Sequence, residues 1–222
     1  MKKHLTIAID GPAGAGKSTI AKILAQKLNI NYLDTGAMYR ALALKVLKSK
    51  IDPKDREGVI KSLEKTDIQV LYRGKQQIIL LDGEDVTDKI RTPEVSKTAS
   101  DVAVIPEVRL KLVEIQRKIA SEIPLVVDGR DIGTFVLPDA SYKFFLTAAV
   151  EERAKRRWKE MQEAGKLDTL ENVMEDIKQR DLNDSNRSFA PLKKAEDAIL
   201  IDTTHLSIEQ VVNKILELIE EN

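Results

Sequence analysis

The stretch Leu5-Thr6-Ile7-Ala8-Ile9-Asp10-Gly11-Pro12-Ala13-Gly14-Ala15-Gly16-Lys17-Ser18 decides the fold. Its first five residues are a short apolar run, and the Asp-Gly step that ends it marks a buried strand entering a turn. From Gly11 to Ser18 the residues fit G-x-x-x-x-G-K-[ST] without a mismatch, the pattern of a phosphate-binding loop. Glycines let such a loop curl so that successive N–H groups point at one spot, and the helix that follows adds its positive end. Gly11, Pro12, Ala13, Gly14, Ala15, Gly16 and Thr19 are therefore expected around the phosphates of a nucleoside triphosphate, with Lys17 reaching the terminal ones. Ser18 would offer its hydroxyl to the magnesium ion that travels with a nucleoside triphosphate.

Outward from this loop, short apolar runs alternate with helical patterns. Ile20, Ile23, Leu24 and Leu28 fall at helical spacing, with Ala21 and Ala25 keeping the contact to a sheet close. Asn31 to Leu33 reads as a second strand, and Asp34-Thr35-Gly36 as the cap of a helix bearing Tyr39, Leu42 and Val46 on one face. Between about 51 and 88 the period becomes alternating, with turns at Arg73-Gly74-Lys75 and Asp82-Gly83, so a small antiparallel insertion is expected. Thr92-Pro93 and Pro106 each open a helix, the second with Val108, Leu112, Ile115 and Ile119 on its core face. Leu125 to Asp128, Tyr142 to Leu146 and Ile199 to Asp202 are further strands, and Ser207 to Gln210 is a capping box for a last helix carrying Val211, Ile215 and Leu218. From Val150 to about Arg187 the chain is charged and helical, broken at Gly165. Buried strands alternating with helices imply a parallel sheet covered on both faces, with ligands at the carboxyl ends of its strands. The phosphate loop, Asp34, Asp128 and Asp202 all fall there.

Composition limits what such a site serves. The 222 residues are 42% hydrophobic, and 36 basic residues balance 36 acidic ones, which argues against a general nucleic-acid binder. With no cysteine, disulfides and thiolate metal sites are excluded. His4 and His205 lack metal-ligand spacing and read as surface residues. Lys2 and Lys3 precede an apolar run that stops at Asp10, too short for a secretory signal core, and no stretch approaches a membrane span. The expected location is the cytoplasm, and a monomer is the expected state.

Three clusters carry chemistry beyond the phosphate loop. Asp128, ending an apolar strand, either holds magnesium, directly or through water, or caps the next turn. Asp128-Gly129-Arg130-Asp131-Ile132-Gly133-Thr134 sets two carboxylates and an arginine between glycines. Arg130 there suits a phosphate by its paired donors, or closes an internal Arg-Asp turn. Arg153, Arg156 and Arg157 share one helical face. Either the face is solvated, with Glu151–Lys155 and Glu152–Arg156 as ordinary pairs, or these arginines with Arg180, Asp184 and Arg187 form a lid that closes over a triphosphate and neutralises transferring charge. The arginines outside the loop, among them Arg40 and Arg109, imply a second anionic ligand. A phosphate acceptor, with a second pKa of about 6, needs no catalytic base.

Ile9 to Lys17, Leu33-Asp34-Thr35-Gly36-Ala37-Met38-Tyr39-Arg40, Asp128 to Thr134, Glu152-Arg153-Ala154 and Arg180-Asp181 through Asn186-Arg187 together resemble the bacterial cytidylate kinases, within the nucleoside monophosphate kinases. The resemblance runs along essentially the whole chain. It implies an α/β, three-layer P-loop NTPase fold divided into a core (about 1–50, 89–149 and 189–222), a nucleoside monophosphate-binding insertion (about 51–88) and a helical lid (about 150–188). It implies magnesium-dependent transfer of the ATP γ-phosphoryl group to CMP or dCMP, with Lys17, Arg130, Arg153 and Arg157 as the catalytic cations. By position, Ser100, Arg109 and Asp131 look like the cytosine contacts; a carboxylate suits the cytosine amino group. Thr35, Arg40, Arg130 and Arg187 look like contacts to the acceptor phosphate and its surroundings, and Arg180 and Asp184 like ribose contacts. Thr35 stands where other members can have serine, and Ser18 where some have glycine.

Other functions use the same loop. A kinase of AMP, UMP or a small metabolite shares it, as do a GTP-binding switch and a non-enzymatic nucleotide-binding module. No N-K-x-D-type guanine-reading segment follows a strand, and a binding module would not explain the arginine-rich lid.

Overall fold

The computed structural model describes residues 4–163, 165 and 167–221, which leaves Lys2 and Lys3 outside the described residues. Five parallel strands form the central sheet in the order β2-β6-β1-β7-β8: β1 (Thr6–Asp10), β2 (Asn31–Asp34), β6 (Leu125–Gly129), β7 (Tyr142–Thr147) and β8 (Ile199–Asp202). Strand alternation sends Ile7, Ile9 and Val126 to one face and Ala8, Leu125 and Val127 to the other. The first face packs against α1 (Lys17–Lys27) and α8 (Ile208–Glu220), the second against α2 (Thr35–Lys48), α4 (Pro93–Val102) and α5 (Pro106–Glu122). Ala21 and Ala25 are buried under α1 as expected. β8, at the edge, is only half covered, with Leu200 exposed.

Local chemistry starts the helices where the sequence places them. Asp34 accepts the Ala37 N–H at 2.9 Å and Thr92 the Val95 N–H at 3.2 Å. Ser207 and Gln210 form the reciprocal capping box. The insertion differs from expectation. It opens with a helix, α3 (Arg56–Glu64), capped by Asp55 and buried through Val59, Ser62 and Leu63. Only then come the antiparallel strands β3 (Ile68–Arg73), β4 (Gln76–Leu81) and β5 (Glu84–Asp85). Both residues of the Asp82-Gly83 turn have positive φ, as a tight hairpin requires. The segment from 150 to 188 contains α6 (Val150–Glu163) and α7 (Leu170–Asn186), which bury Ala154, Val173 and Ile177 against each other. None of the helices is long and apolar enough to cross a membrane, among the described residues.

Candidate active site

The carboxyl ends of β1, β2 and β6 open onto a cavity of about 800 Å³, lined by the phosphate loop, α2, α4, the segment after β6 and the helices α6 and α7. Gly11 runs beside β7 so closely that a Cβ there would lie 2.0 Å from the Leu146 carbonyl oxygen. Gly16, at φ 85°, turns the chain into α1, which begins without a side-chain cap. Its first N–H groups are thus left for an anion. Lys17 is buried, and its Nζ donates to the Pro12 carbonyl at 2.7 Å. Burial, and then the nearby Arg130, pull its ammonium down to about 7.

Ser18 and Asp128 meet beside it. The Ser18 hydroxyl donates to Asp128 Oδ2 at 2.7 Å, and the Tyr32 hydroxyl donates to Oδ1 at 2.8 Å. Thr35 donates to the Asp128 carbonyl at 2.7 Å. Burial, and then Asp34, raise the Asp128 carboxyl. No group of three or more His, Cys, Asp or Glu is gathered for a metal among the described residues. A hydroxyl beside one carboxylate suits magnesium, which takes few protein oxygens and completes its shell with phosphate and water.

Across the cavity stands a cluster of arginines and carboxylates. Arg109 is 1% exposed and donates to Asp131, while Arg187 approaches the other Asp131 oxygen at 3.3 Å. The Arg109 guanidinium also lies over the Tyr39 ring, 5.6 Å from its centre. Arg130 Nε donates to Asp184 at 2.6 Å and Arg40 pairs with Asp34 at 2.7 Å. Among the described residues, Nε of Arg40 and of Arg109 are buried without a hydrogen-bond partner, as cations that receive an anion or a base edge would be. Ser100, like Arg109, lines the cavity. Arg180, on α7, lines the cavity without an ion pair among the described residues, and burial lowers its guanidinium.

The three arginines read on one face of α6 separate. Arg157 lines the cavity, 40% exposed at its side chain and paired with Glu160. Arg156 donates to the Thr203 hydroxyl at 3.1 Å and to its carbonyl rather than pairing with Glu152, whose partner is Lys155. Arg153 is buried and does not line the cavity. Its guanidinium donates to Ala148 O, Ala13 O and Asp181. Asp202, expected at the same edge, is exposed and holds the Thr204 backbone and hydroxyl. His4 and His205 are exposed, as expected.

Asp10 is the residue sequence reading passed over. It is 4% exposed and accepts the N–H groups of Ile132 at 2.8 Å and Gly133 at 2.7 Å, which fixes the wide turn of Ile132–Val136 directly after Arg130 and Asp131. A charged residue completing an otherwise buried strand was the available signal.

The cytidylate kinase family model matches residues 7–221. The chain is 57% identical over 216 residues to a cytidylate kinase of Caldicellulosiruptor saccharolyticus, covering 97% of this chain and 96% of that one. To a cytidylate kinase of Clostridioides difficile it is 56% identical over 213 residues, covering 96% and 97%. In fold it is similar to an uncharacterized protein from Eubacterium ventriosum, with a TM-score of 0.55 at 15% identity over 99% of this chain and 100% of that one. With a matched family model spanning nearly every residue and relatives this similar over their full length, the chain belongs to the cytidylate kinase family.

Proposed function

We propose that this protein transfers the γ-phosphoryl group of ATP to CMP and dCMP, yielding ADP and the corresponding diphosphate. The observation that carries the reading is one cavity faced from one side by the phosphate loop and from the other by the Arg109–Asp131–Arg187 cluster. The first half suits a donor triphosphate; the second presents a carboxylate to a cytosine amino group. Thr35, Arg40, Arg130 and Arg187 would contact the acceptor phosphate and its surroundings, Ser100 the base, and Arg180 and Asp184 the ribose; all of them line the cavity. Family membership supports each assignment.

An ionised acceptor phosphate oxygen attacks the γ-phosphorus as the bond to the ADP oxygen breaks. No side chain has to take a proton, since the acceptor is ionised near neutral pH. Lys17 leaves Pro12 for the phosphates, regaining full charge beside them. Arg130, Arg157 and Arg180 spread the charge of the transferring group. Arg153 contributes by holding the loop to the lid. Ser18 and Asp128 would hold magnesium, which supplies charge neutralisation on the phosphate oxygens. A cytoplasmic location accords with its nucleotide substrates.

The test is ADP formation by the purified protein with MgATP and a panel of nucleoside monophosphates. CMP and dCMP are expected to turn over fastest. Turnover with AMP or GMP but not CMP would refute the cytosine assignment, and no turnover with any acceptor would leave a binding module.

A further inference from the structure

The insertion lies beside the acceptor site without entering it: no described residue between 51 and 88 lines the cavity. It packs on α2 through β4 and meets the open edge of β2, the outermost strand of the sheet. An edge strand presents N–H and C=O groups with no neighbouring strand to receive them. Here side chains take that place. The Asp34 N–H donates to Gln77 Oε1 at 2.7 Å, and Gln77 Nε2 donates to the Asp34 carbonyl at 3.3 Å. Tyr72, which faces Gln77 across the β3–β4 ladder, donates its hydroxyl to the Tyr32 carbonyl at 3.3 Å. The Gln77 amide thus acts on Asp34 as a neighbouring strand's peptide would.

Asp34 passes this restraint on. One carboxylate oxygen caps α2 at Ala37, and the other holds Arg40 Nη2 at 2.7 Å. Arg40 lines the cavity, and its Nε is buried without a hydrogen-bond partner among the described residues. We propose that Gln77 is a positioning residue for the acceptor nucleotide. Through the Asp34 backbone and the Asp34–Arg40 pair, it lets the insertion set acceptor affinity from a distance. This rests on Arg40 contacting the acceptor phosphate, as assigned above.

Steady-state kinetics of Gln77→Ala, Arg40→Ala and the double variant test it, with CMP and ATP varied separately. Gln77→Ala is expected to raise the KM for CMP about tenfold, the loss of two hydrogen bonds, with kcat and the KM for ATP within about twofold of wild type. The double variant is expected to match Arg40→Ala, because both changes act through one group. Wild-type KM for CMP in Gln77→Ala beside an impaired Arg40→Ala overturns the proposal alone. Equal rises in both KM values, or additive effects in the double variant, overturn it as well. A wild-type KM for CMP in Arg40→Ala overturns the assignment of Arg40, and the proposal with it. Should Gln77→Ala fail to fold, Gln77→Met keeps the side-chain length and carries the same expectation.

Discussion

Asp181, on α7, accepts the backbone N–H of Ala13 in the phosphate loop at 3.1 Å, and its second oxygen pairs with Arg153 of α6 at 2.6 Å. Arg153 donates in turn to the Ala13 carbonyl at 2.8 Å. Both polar groups of one loop residue are therefore held by α6 and α7. Arg153→Ala strips a donor from a largely buried carboxylate and two carbonyls, and is expected to cost about 3–5 kcal/mol in urea unfolding. Arg157→Ala, at a half-buried position lining the cavity, should leave stability within about 0.5 kcal/mol and lower kcat about a hundredfold. If both variants unfold alike, the division of labour assigned to the two arginines is wrong.

Lys17 predicts a proton linkage. In the free protein its ammonium sits near 7 because it is buried beside Arg130. A bound triphosphate favours the charged form and raises that value. At pH 8 the free side chain is mostly neutral, so MgATP binding should take up about one proton, and ATP affinity should fall as pH rises through 7. Titration calorimetry in two buffers of different ionisation enthalpy measures the uptake. Lys17→Met should take up none; uptake undiminished in that variant would place the proton elsewhere.

Much of this site was legible because its signals are local. The phosphate loop is recognisable since backbone geometry admits few residues at Gly11 and Gly16. The starts of α2, α4 and α8 were readable from Asp34, Thr92 and Ser207, whose side chains bond the backbone three residues on. The start of α3 was hidden because only Val59, Ser62 and Leu63 of its nine residues face inward, in a charged stretch with a weak helical period. The turn after Asp131 could not be read at all, since Asp10, 122 residues away from Ile132, shapes it. The same holds for Arg153: its spacing matches Arg157, and only its partners at Ala13 and Asp181 show that it serves the loop. Residues set by sequence neighbours were visible; those set by the sheet's assembly were not.

Asp131 lies between two buried guanidiniums, Arg109 and Arg187. Asp131→Asn keeps the shape and removes the charge that both arginines face. The KM for CMP is expected to rise about a hundredfold while the KM for ATP stays within twofold, because the phosphate loop does not touch this pair. The variant should also unfold at lower urea, since two cations are left facing a neutral amide. Equal weakening of CMP and ATP would show that Asp131 does not read the acceptor.

Asp10 gives the pH dependence of stability a distinctive contribution. Burial pushes its carboxyl up to about 6 despite the two N–H groups it accepts, against about 3.9 in an unfolded chain. Between those values the folded protein binds more protons at this site than the unfolded one. Its contribution is therefore most favourable below about pH 4 and is lost as pH rises through 6, to a total of roughly 3 kcal/mol. Asp10→Asn has no such proton. Asn offers one acceptor oxygen to two N–H donors, so the variant should be less stable than wild type at pH 4. The gap should narrow by roughly 2–3 kcal/mol on going to pH 7, where wild type carries the buried charge and the variant does not. Urea unfolding of both proteins at the two pH values measures this difference, in which other titrating groups cancel. A gap that stays constant, or widens with pH, would mean that Asp10 is ionised throughout and that the Ile132–Gly133 hydrogen bonds outweigh its burial.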